Sequence, residues 1–79
     1  MTKDEQVQLA KQELERLERQ LFVTELDIAK YRAVLKFDKE VAGIRDGLRA
    51  KETEAEMLRV CLGVVRERLA QLEEDGGGS

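Results

Sequence analysis

The side chains able to do chemistry are few in this sequence, and none has the company that catalysis needs. The chain holds no His, so the commonest general base and metal ligand is missing. Its one thiol, Cys61, lies in the apolar run VCLGVV with no His to activate it. That setting reads as a small hydrophobe packed in a core rather than a nucleophile. Carboxylates sit close together at Glu73 and Glu74 and at Glu52 and Glu54, which is how a solvated helix surface looks. Gly43 and Gly47 stand four apart, but neither GxGxxG nor GK[ST] follows, so no phosphate loop is encoded. On a helix face that glycine spacing would let a partner helix approach; without a membrane it reads as local flexibility. The sequence therefore predicts no enzyme, no metal, no cofactor and no small-molecule substrate.

Composition points to structure instead. Charged residues make up 39% of the 79, aromatics 4%, and Pro is absent, a balance found in long helices and coiled coils. No run of 18 apolar residues exists to span a membrane. The net charge of −3 argues against a general nucleic-acid binder. Lys36, Lys39, Arg45, Arg49 and Lys51 do cluster near the midpoint, with Tyr31 and Phe37 nearby. Asp38, Glu40 and Asp46 are interspersed among them, so the cluster reads as a solvated surface and nucleic acid stays a remote alternative. The N-terminal MTKDEQVQLA lacks the apolar core of a secretory signal, and a lone thiol fits a reducing compartment. An intracellular, cytoplasmic location is the resulting expectation. Residues 76–79, GGGS, read as a flexible linker or tail.

The elements come from spacing. From Val7 onward apolar residues recur at alternating steps of three and four: Val7, Ala10, Leu14, Leu17, Leu21, Thr24, Ile28, Tyr31, Leu35. With Val7 as a heptad a position, Thr24 is the only polar member. A second series follows: Val41, Ile44, Leu48, Lys51, Ala55, Leu58, Leu62, Val65, Leu69, Leu72, with Lys51 its only polar member. The expected module covers residues 1–75, with helix 1 over about 3–36, a connection over about 37–43 and helix 2 over about 44–74. The two series disagree by one residue, since Leu35 and Val41 are six apart where a heptad needs seven. At about 100° per residue this turns the stripe by a quarter turn or slightly more. The segment KFDKEVAG, 36–43, must therefore hold either a turn or a local rewinding.

A turn makes an antiparallel hairpin. Its layers pair Leu35 with Ile44, Tyr31 with Leu48, Ile28 with Lys51, Thr24 with Ala55, Leu21 with Leu58, Leu17 with Leu62, Leu14 with Val65, Ala10 with Leu69 and Val7 with Leu72. Both arms end together at about 45 Å, Asp38 is placed to cap helix 2, and Gly43 to take a left-handed conformation. The alternative is one continuous helix about 105 Å long in a parallel coiled-coil dimer, a spacer or adaptor. In its favour, the turn lacks Pro and Asn, and apolar residues recur every eleven (Phe22, Ala33, Ile44, Ala55). The flanking charges also favour it. A parallel dimer matches Asp27 with Arg32 and Glu54 with Arg59, against a Glu13–Glu18 clash. The hairpin matches Glu18 with Arg59 and Glu13 with Arg68, but sets Arg32 by Arg45, Glu25 by Glu52, Lys11 by Arg66 and Asp27 by Glu54. Such exposed pairs are worth only ~0.2–1 kcal/mol each.

Apolar breadth decides for the hairpin. LFVTELDIAKYRAVLKF and MLRVCLGVV are apolar on more than one face, which belongs to bundles rather than two-stranded rods. Phe22, Val23, Leu26, Ala29, Ala33 and Phe37, with Met57, Val60, Cys61 and Val64, are read as a second surface buried against another hairpin. The all-α expectation is thus a helical hairpin that self-associates into a bundle or joins a helical partner, a non-enzymatic association module in a scaffold. A single seam buries little apolar area against roughly 1.5 kcal/mol of entropy per ordered residue, so association is the expected remedy. The interface would be Val7, Leu14, Leu17, Leu21, Phe22, Leu26, Ile28, Tyr31, Leu35, Phe37, Ile44, Leu48, Leu58, Leu62, Val65, Leu69 and Leu72. Thr24 and Lys51 would restrict its register.

Overall fold

Thr2 starts the first helix through a capping signature, TKDE. Its hydroxyl oxygen accepts from the Glu5 N–H at 3.2 Å and its hydroxyl donates to Glu5 Oε1 at 3.2 Å. Asp4 and Glu5 add negative charge to the first turn, where the helix dipole favours it. The resulting helix α1 spans Lys3–Phe37 and a second, α2, spans Ile44–Gly77. This is a computed structural model, and it describes residues 1–77, with side chains through Glu74. α2 runs past its expected end at 74 into the Gly tract, while 78 and 79 of the expected tail lie outside the described residues.

The chain turns at 38–43, and the two helices pack against each other. The molecule is 60 Å in its longest extent, which does not accommodate the ~105 Å rod of the continuous-helix alternative. Asp38 acts at the other end of the turn from the one expected. It leaves the helical conformation at φ −145°, ends α1 by donating its N–H to the Val34 carbonyl at 2.8 Å, and accepts from the Glu40 N–H through Oδ1 at 3.0 Å. This is the local side-chain bonding that lets Asp terminate a helix without Pro. Gly43 takes φ +81°, the left-handed region in which a side chain is strained. The α2 ladder then begins with Gly47 N–H to the Gly43 carbonyl at 2.9 Å. The one-residue mismatch between the seams is absorbed here, since Val41 belongs to the connection and not to α2.

Every residue of the two heptad series is buried or half-buried. Leu17, Leu58 and Leu62 form the centre of the core, with Leu14, Leu21 and Val65 packed around them. Nearer the turn the buried residues are smaller: Thr24 and Ala55, 3% and 1% exposed, beside Ile28. Gly47 is not merely flexible, as its spacing suggested. A Cβ there would sit at ordinary contact distance, 3.4 Å, from the Tyr31 ring, so Gly47 lies under Tyr31 in the helix contact. No buried side-chain N or O among the described residues lacks a hydrogen-bond partner, so Thr24 enters the core without an orphaned hydroxyl.

Candidate interaction surfaces

Lys51 is the one charged seam member. Its stem lies in the seam and its ammonium emerges to one flank, 3.4 Å from Glu54 and 3.5 Å from Asp27 on the opposite helix. Asp27 is also 3.1 Å from Lys30. The expected clash of Asp27 with Glu54 is therefore bridged by the cation beside them. Lys30 first, and Lys51 after it, hold the Asp27 carboxyl below its ordinary range, while Glu54 first and Asp27 second raise Lys51.

The opposite flank corrects the charge matching. In an antiparallel pair the heptad e positions face each other, and so do the g positions. Arg32 meets Glu52 at 3.3 Å and Glu18 meets Arg66 at 3.5 Å, each one heptad away from the partner expected of it. The cause is the tilt of every Cα–Cβ bond towards the N-terminus of its own helix. Facing side chains lean towards each other in one of the two neighbouring registers and apart in the other. In the register observed, Lys11 is aligned with Glu73, Glu18 with Arg66, Glu25 with Arg59 and Arg32 with Glu52, opposite charges every time. The Arg32–Arg45, Glu25–Glu52 and Lys11–Arg66 conflicts vanish. Glu13 pairs with Arg16 on its own helix rather than with Arg68.

The second apolar surface is exposed in the hairpin. Phe22 is 64% exposed, Val60 68%, and Leu26, Met57 and Val64 are also open. These residues do not share one face. Phe22, Leu26, Ala29 and Ala33 occupy b and f positions of α1, on its back and inclined to the e flank. Met57, Val60 and Val64, at c and f positions of α2, lie on its back inclined to the g flank. The two stripes point away from each other. Val23 and Phe37 sit off the α1 stripe, in a c row broken by Arg16 and Lys30. Cys61 is exposed in the hairpin and has no place in its inner seam: it lies at a g position, beside the α2 stripe with which the sequence groups it. Near the turn, Arg32, Lys36, Lys39 and Arg45 border a shallow recess floored by Leu35; Lys51 is engaged by carboxylates.

Among the described residues no three His, Cys, Asp or Glu side chains are grouped to hold a metal, and no helix is long and apolar enough to cross a membrane. The signals that sequence reading overlooked were the T-x-x-E cap and the e-flank register, both readable once helix ends and side-chain tilt are considered. No family model, curated protein or solved structure matches the chain.

Proposed function

We propose that this chain is a non-enzymatic association module, a helical hairpin that joins copies of itself, or a helical partner, within a structural assembly. The carrying observation is the set of large apolar side chains left open on the backs of both helices, Phe22 and Val60 foremost, after the seam has buried its own. Contiguous apolar surface of this kind is what partner helices cover. The small core supports the same reading, since the seam alone buries little surface and binding a partner stabilises the folded form by mass action. The inner seam holds the hairpin together, and Lys51 and Thr24 restrict its alignment by allowing only those registers that place carboxylates by the ammonium and a small residue by the hydroxyl. The exposed lone thiol suits a reducing compartment, in keeping with an intracellular protein. Interspersed acids around the basic residues near the turn weigh against nucleic acid as the partner.

Sedimentation velocity of the full chain over a wide concentration range tests the self-associating form. The expected result is a mass that rises above the 9.0 kDa of one chain at micromolar concentration. A monomer throughout that range removes self-association from the reading.

A further inference from the structure

A hairpin with two apolar stripes that point away from each other cannot cover both with one partner in one place. We propose that the stripes are the two halves of a single head-to-tail interface, the α1 stripe of one copy packing on the α2 stripe of the next. This rests on the self-association proposed above and specifies its geometry. Such a contact is heterologous, and repeats into a ring or an open array instead of closing as a two-fold pair of hairpins.

Charge complementarity selects the second copy as occupant and the unlike stripe as its target. Aligned antiparallel, Phe22 of one copy lies level with Val64 of the next, Leu26 with Val60, and Ala29 with Met57. The same alignment carries Arg19, one turn before Phe22, to Glu67, one heptad after Val60, and brings Arg32 at the rim close to Glu56. Pairing like with like gains no such ion pair. Two α1 stripes set Arg19 against Lys36 when Phe22 lies over Ala33, or against Ala29 when Phe22 lies over Leu26, and two α2 stripes with Met57 over Val64 bring Glu54 to Glu67. Like charges meeting at an interface discriminate against that arrangement. Arg19 and Arg32 already have partners within the hairpin, Glu15 at 2.6 Å and Glu52 at 3.3 Å. All four side chains are about half or more open to solvent, Glu52 the least at 47%, so sharing the two arginines with a second copy costs little.

Complementation decides the matter. Leu26→Glu disables the α1 stripe and Val60→Glu the α2 stripe, at positions 48% and 68% exposed in the hairpin, with helical circular dichroism as the control for folding. By sedimentation each variant alone is expected to stay monomeric, while an equimolar mixture forms a complex of one of each, because one intact stripe of each kind remains. If either variant alone associates as wild type does, the interface pairs like stripes and the proposal fails. A mixture that stays monomeric while wild type associates overturns it too, yet leaves self-association standing. A monomeric wild type removes both.

Discussion

The layers around Leu62 and the layer around Lys51 belong to one seam but are built on opposite principles. At Leu17, Leu58 and Leu62 the helices meet through large aliphatic side chains nearly closed to solvent. At Lys51 the seam passes through a charged residue whose ammonium sits between Asp27 and Glu54, beside the small Thr24 and Ala55. The first region supplies apolar burial, and much of it tolerates a change of register, since a shift by one heptad can set Leu17 against Leu69 and Leu58 against Ile28. The second contributes less energy; its cation keeps Glu54 of its own helix in any register, but meets Asp27 of the opposite helix only in the native alignment. On the proposed reading, in which Lys51 and Thr24 restrict the register, stability and specificity are held by different stretches of the same interface.

The most severe way to break that contrast is Leu62→Ala. Leu62 is 2% exposed, and deletion of such a side chain costs about 2–5 kcal/mol, a large share of the stability of so small a domain. Chemical denaturation monitored by helical signal should show this, and a change below about 1 kcal/mol would place the main core elsewhere.

Lys51→Met should have a smaller effect at neutral pH, because the apolar gain is offset by leaving Asp27 and Glu54 without their shared cation. Its signature lies in the pH dependence. The raised Lys51 contributes stability that is present below its ordinary value of 10.5 and lost as pH climbs through the raised one; the variant should lack that alkaline loss. The lowered Asp27 contributes stability present above 3.8 and lost as pH falls through the depressed value. That acid loss should shrink but persist in the variant, because Lys30, the larger cause, remains. Identical alkaline profiles for the two proteins would show that the ammonium does not hold the layer.

The smallest effect belongs to the e flank. A double-mutant cycle on Glu18 and Arg66, 3.5 Å apart, should return a favourable coupling of ~0.2–1 kcal/mol that fades with salt. A cycle on Glu18 and Arg59 should return less. The reverse order would restore the level pairing that side-chain tilt disfavours.

How much of this was legible beforehand differs from feature to feature. The helical stripes and the seam members follow from period alone, because any residue facing the partner must recur every 3.5 positions. Asp38 misled because an Asp between two helices can cap the one ahead or end the one behind, and only the backbone at φ −145° distinguishes the two. The side of VCLGVV that meets the first helix was not legible, because the run is apolar all round and a continuous apolar run does not reveal which of its sides finds a neighbour. The charges misled because matching residues by height ignores the tilt of the side chains.

The sequence by itself determined that two amphipathic helical stripes form, which side chains line their seam, and that a register break separates them. Those properties are local and periodic, so they survive without knowledge of the partner helix. Only the tertiary structure decided that the break is a turn, that the flanking charges mesh one heptad from level, and that the remaining apolar stripes face away from each other. Each of these depends on the relative position of two helices. Once the second helix packs against the first, their common axis fixes which flanks meet and which backs stay open.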